Sequence, residues 1–248
     1  MPGPTSEPGS LSRGEKWTFA IILLLILAMF GADIAISFTT TKLSALFILG
    51  FWIPLLVTHE FGHALAARLL GWHVGRITLG FGRRWARLDS STCFIEIRSF
   101  PVTGFIQCVP THLRQPRLRD ALIYFAGPGA DLLVSGLVML IVGADLFNPS
   151  TDVGMIAWQS LALAAFAQGI LNLIPLPNLT SGKIIVNDGM GILRAPTLPD
   201  SHYAQLIEGF REHGREIFEG ELDDDDMPAQ PPPHDPNSDE WWKKDRRL

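Results

Sequence analysis

The stretch VTHEFGHALAARLLG (residues 57–71) closes a long apolar run, FILGFWIPLLV (47–57). On an α-helix, residues four apart share a face, so His59 and His63 present two imidazoles on one side with Glu60 beside them. This is the H-E-x-x-H arrangement, in which two histidines bind zinc and the glutamate serves as general base. Its setting sharpens the reading. An ionisable residue in a membrane segment costs at least about 2.5 kcal/mol, so three together need a compensating partner, and a metal ion supplies one. A helix starting at residue 43 rises about 1.5 Å per residue, which puts His59 roughly 24 Å from its outer end. The site is expected below the membrane surface, in the inner half of the bilayer.

The rest of the chain supports a membrane setting. Of its 248 residues, 47% are hydrophobic, and most of these lie between residues 17 and 175. About 20 consecutive apolar residues cross a bilayer core of roughly 30 Å. Four spans are predicted, at about 17–37, 43–70, 121–142 and 155–173. The first follows Arg13 and Lys16, but its apolar run exceeds a usual signal-peptide core, so a retained anchor is expected. The predicted fold is mainly α, a multi-pass membrane protein with a small cytoplasm-facing β-sheet between the second and third spans.

Basic residues set the orientation. The link between spans two and three carries Arg76, Arg83, Arg84, Arg87, Arg98, Arg114, Arg117 and Arg119, whereas the other two links carry only Lys42. That link and both termini are therefore expected on the cytoplasmic side of the plasma membrane. The net charge of −5 comes partly from ELDDDD at 221–226, and no nucleic-acid partner is expected. Cys93 and Cys108 fall in the cytoplasmic link and read as two reduced thiols.

Between the spans the period changes. VGRITLGFG (74–82) and FIEIRSF (94–100) alternate as strands do, and PVTGFIQCVP (101–110) adds another short strand after a turn at 101–104. Residues 73–110 are read as a small antiparallel sheet whose edge can accept an extended peptide, with Gly104 on the substrate side. The membrane-embedded unit is thus 17–194, preceded by a flexible 1–16. The remainder, 195–248, reads as a tail with one amphipathic helix over 201–218, weakened by Gly209 and Gly214. Beyond it lies an acidic, Pro-rich stretch with little to bury.

Two histidines do not complete a catalytic zinc site, which usually has three protein ligands. HEFGHALAARLLG, GRITLGFG, FPVTGFI, AGPGADLL, and NLIPLP followed by NDGMGIL occur in that order over about residues 43–194. Together they resemble the site-2 protease family of intramembrane zinc metalloproteases. In that family the third ligand is an aspartate before glycine, after Asn-x-x-Pro. In the commonest form, NxxPxPxLDG, it stands eight positions after the asparagine. Counted from Asn172 that position is Thr180, a poor zinc ligand, so the resemblance points to Asp188 in N-D-G. Asp131, in GPGADLL, is the alternative ligand or a polar orienting group. The small residues Gly127, Gly129 and Ala130 suit close helix approach. Asn172 and Pro175 resemble the family's substrate-facing segment.

What the resemblance implies is a zinc endopeptidase that cuts transmembrane proteins or peptides in or near their membrane segments. Its substrates would be single-pass regulatory proteins or remnant signal peptides, with Zn2+ at His59, His63 and Asp188 and with Glu60 as base. Two other classes stay open: a non-catalytic membrane binding protein that keeps the fold, and a metal transporter. No internal repeat favours the transporter, and the sequence does not set the oligomeric state.

Overall fold

Among the described residues, three helices in the computed structural model are long and apolar enough to cross a membrane. They are α1 (Leu43–Leu69), α2 (Pro116–Val142) and α3 (Val153–Leu173). The described residues are 21, 28–29, 31–33, 35–90, 92–175, 177–180, 183–214 and 218, with 177–180 and 183–186 described in backbone only. The expected first span at 17–37 lies mostly outside them, as does the acidic stretch after residue 218.

Local chemistry sets the ends of these helices. Gly71 at φ +75° stops α1, a conformation that costs glycine little. Gln115 takes the left-handed region and Pro116 stands in the first turn of α2. That proline fixes φ where no N–H is needed, so α2 starts five residues before the hydropathy pattern suggested. Asp152 caps α3 by accepting from the Met155 N–H at 2.8 Å.

The link between α1 and α2 forms two strands, β1 (Trp72–Asp89) and β2 (Phe94–Pro110). They pair more than once, because both bend. Residues Ile77 and Leu79 lie opposite Ile106 and Gly104 on one edge and beside Ile95 and Ile97 on the other. Farther out, residues 84–89 pair back onto 94–98. The inner half of β1 is therefore enclosed on both edges, and residues 74–80 are all buried. Gly80 (φ +94°) and Gly82 (φ +81°) make the bend. A side chain at Gly80 would put Cβ 2.7 Å from the Phe100 carbonyl oxygen.

The separate turn expected at 101–104 is not formed. β2 runs through it, and the pairing slips between Phe81 opposite Phe100 and Leu79 opposite Gly104. The proline and glycine are absorbed as a bulge, where a strand tolerates them.

After α3 come a short hairpin, β3 (Pro177–Thr180) with β4 (Lys183–Val186), then α4 (Asp188–Arg194) and α5 (Asp200–His213). Gly214 at φ +55° follows α5 directly. The hydrophobic core joins the inner face of α1 to the sheet and α5 through Ala64, Ala67, Trp72, Val74, Ile77 and Tyr203. Tyr203 is fully buried, and its hydroxyl donates to Asp120 at 3.0 Å.

A buried ion pair stiffens the sheet. Glu96 is 1% exposed and accepts a short hydrogen bond from Arg76 and another from Arg98 at 3.2 Å. Burial pushes the Glu96 carboxyl up, but the Arg76 and Arg98 bonds outweigh it and hold the group below its ordinary value. A depressed carboxyl stabilises the fold above its unfolded-state pKa, and that stability is lost as pH falls through the folded value. Glu96→Gln is expected to lower the unfolding free energy by about 3 kcal/mol at neutral pH, since Arg76 loses its counter-charge. Thermal unfolding in detergent should show this gap closing as the solution is acidified below the ordinary carboxylate range.

Candidate metal centre

Glycine, proline and two acceptors bring the functional side chains together. On α1, His59, Glu60 and His63 are 4%, 3% and 6% exposed. Gly62 lets α2 approach: a Cβ there would lie 2.7 Å from the Ala126 carbonyl oxygen and 2.9 Å from the Ala130 side chain. Gly127 leaves room for the His63 ring, which any side chain at that position would overlap. Gly129 does not serve the helix contact, because the atoms nearest its missing Cβ belong to Phe125 on its own helix.

The outer nitrogen of each imidazole is committed. His59 Nδ1 lies 2.7 Å from Asp131 Oδ2, and His63 Nδ1 lies 2.6 Å from the Ile123 carbonyl oxygen. Carbonyl and ionised carboxylate only accept, so both Nδ1 atoms carry the proton and both Nε2 atoms are left as lone pairs. These lone pairs face each other at 3.2 Å. Asp188 completes the group, with Oδ2 3.0 Å from His59 Nε2 and Oδ1 3.3 Å from His63 Nε2. Three acceptors in a buried space repel one another unless a cation lies between them.

The spacing tests which cation fits. Tetrahedral zinc with ligand bonds of about 2.0–2.1 Å sets its donors about 3.3 Å apart; here the two Nε2 atoms stand 3.2 Å apart, and each has one Asp188 oxygen at 3.0 or 3.3 Å. Among the described residues, His59, His63 and Asp188 are the group of this kind suited to a metal ion. Asp131 is fully buried and bonds the far nitrogen of His59, so it orients that ring from outside the donor set.

The N-D-G turn positions Asp188. Asn187 caps α4 by accepting from the Met190 N–H at 3.1 Å, and it donates to the Ile174 carbonyl at 2.6 Å. Gly189 packs against the Leu173 backbone so closely that a Cβ has no room, and Gly191 does the same against the Tyr124 ring. The start of α4 is thereby fastened to the end of α3 and to α2.

Glu60 points toward the sheet. A Cβ at Gly104 would sit 2.7 Å from its Oε1, and Oε2 is buried with no hydrogen-bond partner among the described residues. Asn172 turns its amide back to the Gln168 carbonyl of its own helix at 3.1 Å, and Pro175 is exposed. Thr180 lies in β3, where side chains are not described. The Ile123 carbonyl has no side-chain signature, and sequence reasoning missed it. Pro128 gave no hint of it, since the N–H that proline removes would have bonded the Tyr124 carbonyl.

Helices long and apolar enough to cross a membrane thus carry HEFGH and bring it against a remote Asp-Gly. The sequence profile of peptidase family M50 matches residues 46–157, a range that includes His59, Glu60, His63, Gly104 and Asp131 but stops short of Asp188. A protein named as a zinc metalloprotease, Rip2 of Mycolicibacterium smegmatis, is 27% identical over 201 residues, covering 74% of this chain and 73% of that protein. Rip2 of Mycobacterium tuberculosis H37Rv is 30% identical over 170 residues, covering 63% and 60%. The protease RseP of Yersinia pestis is 32% identical over 138 residues, covering 49% and 30%. The chain thus spans less than two thirds of the last two relatives and 12% of the chloroplastic membrane metalloprotease ARASP of Arabidopsis thaliana. The chain is an integral membrane protein by the length and apolarity of its helices, and over residues 46–157 it is similar to peptidase family M50.

Removing a group that orients a metal-binding histidine typically lowers metal affinity by about 10–100-fold. Asp131→Ala is expected to do so here, measured by competition with a chelating dye. Asp131→Asn should lose less, because its amide oxygen still accepts from Nδ1–H.

Proposed function

We propose that this chain is an intramembrane zinc endopeptidase, with Zn2+ held by His59, His63 and Asp188. The observation that supports it most is the pair of facing Nε2 lone pairs joined by one carboxylate at tetrahedral spacing. Zinc, when bound, lowers the pKa of a water and polarises a carbonyl. Glu60 supplies the proton chemistry through its free Oε2. It takes a proton from the water that attacks the scissile carbonyl carbon and, as the C–N bond breaks, delivers that proton to the leaving amine. Asp131 and the Ile123 carbonyl hold the imidazoles in the tautomer this requires.

The substrate is a membrane-spanning segment of another protein. A helix in lipid has its peptide groups bonded internally, and the bilayer offers no substitute, so the segment must unwind before cleavage. The β2 edge at residues 104–107, paired on one side by β1, lies against Glu60 at Gly104 and suits an unwound peptide added as a further strand. Asn172 and Pro175, near Ile174 at the end of α3, would line the opposite wall. Substrates would carry Gly, Pro or Asn near the cut. Single-pass regulators and remnant signal peptides fit this class, with the arginine-rich sheet and both termini on the cytoplasmic side of the plasma membrane.

The test uses the purified chain and a model transmembrane peptide. Glu60→Gln should abolish cleavage, a loss of at least about 10²-fold for a proton-transfer group, while metal content stays near one ion per chain. Asp188→Ala should lose both cleavage and metal, and Thr180→Ala should keep both. Normal cleavage by Glu60→Gln would overturn the mechanism.

A further inference from the structure

The outer half of the sheet carries charge that the peptidase reading does not use. Residues 76–98 contain five arginines against Asp89 and Glu96, a net of +3. Arg76 and Arg98 are taken by Glu96, and Arg87 bonds Asp89 at 2.8 Å. Arg83 and Arg84 stay exposed. The acid nearest Arg84 is Glu96 at 3.6 Å, and 56% of the Arg84 side chain faces solvent. Trp85 beside them is 82% exposed.

The chain returns to this sheet at Phe218. Its ring is 3% exposed, packs with Phe94 and Val109, and fills the space above Gly75 that a side chain would occupy. Its carbonyl accepts from Arg76 at 3.3 Å. The next eight residues, EGELDDDD (219–226), hold six acids. Phe94, under Phe218, pairs with Asp89, and Arg84 stands five residues from Asp89 along the same strand, about 17 Å away. Asp223 to Asp226 follow Phe218 by five to eight residues, a reach of up to about 17–28 Å. The acids therefore span the distance to the arginines from an anchor already fixed on the sheet.

We propose that residues 219–226 dock in cis along the 83–87 edge of the sheet, their carboxylates on Arg83 and Arg84, with Phe218 as the anchor. Tethering at Phe218 gives the acidic run a millimolar effective concentration at that edge, so weak exposed pairs suffice when several act together. The inference stands apart from the peptidase reading, since it involves neither the metal ligands nor Glu60.

Hydrogen exchange of the full chain in neutral-lipid nanodiscs tests it. Amides of 83–88 should exchange about tenfold more slowly at low salt than at about 0.5 M salt, where the screening length falls to a few ångströms. Replacing Asp223, Asp224, Asp225 and Asp226 by Asn should remove that difference. Arg83→Glu with Arg84→Glu should remove it too, and adding Lys at the four aspartates should restore it. Equal exchange in parent and Asn variant would overturn the proposal. So would protection of 83–88 by phosphatidylglycerol nanodiscs in both proteins, which would make the membrane surface the occupant.

Discussion

Two imidazole lone pairs held 3.2 Å apart, with a carboxylate bridging them from a distant segment, form an arrangement that is unfavourable without a cation. Most of what is distinctive about the fold follows from keeping it in place. Either ring could escape the repulsion by moving its proton to Nε2. Asp131 and the Ile123 carbonyl block that escape, because each is a buried acceptor that needs the Nδ1 proton. Held this way, both Nε2 atoms stay acceptors, which is the form a divalent ion needs.

Close approach of backbone, rather than interlocking side chains, brings the parts together. Gly62, Gly127 and Gly189 each stand where an added Cβ would strike a neighbouring backbone or the His63 ring. Glycine inside a helix costs about 1 kcal/mol relative to alanine. In an apolar bundle, where lipid is as oily as the helix surfaces, such close contact is the available way to gain packing energy. The same small positions set the distance between α1 and α2, and thus the distance between His63 and its carbonyl partner. Helix packing and metal geometry are here one constraint.

Much of this was legible in the sequence, and the failures share a cause. HEFGH announced itself by spacing, and the second, third and fourth predicted spans by length, since both signals are local. The close approach of α2 was readable from GPGA, but the assignment of Gly129 to the contact was wrong, because which glycine faces a neighbour depends on the rotation of the helix. The turn expected at 101–104 failed for a similar reason. Pro101 and Gly104 signal a turn in an isolated segment, and double pairing by β1 keeps them within one strand. The Ile123 carbonyl and the Arg76–Glu96 pair left no trace, because each joins segments whose meeting is set by tertiary structure alone.

Asp188 shows how a chain can depart from the NxxPxPxLDG spacing and still bring a carboxylate to the two histidines. Asp188 follows Asn172 by sixteen residues, twice the eight of the NxxPxPxLDG form. What lies between is a detour with its ends clasped: Asn187 holds the Ile174 carbonyl at 2.6 Å, and Gly189 rests on the Leu173 backbone. Doubling a loop costs only about 0.6 kcal/mol in closure entropy, and the added residues satisfy one another's backbone groups by pairing as β3 and β4. The carboxylate's place in the sequence is therefore weakly constrained, whereas the contacts immediately around it are not. Asn before the aspartate caps and ties the helix, and Gly after it permits the approach. The N-D-G triplet reads as a common turn, and here it is that turn which puts the carboxylate between the two histidines.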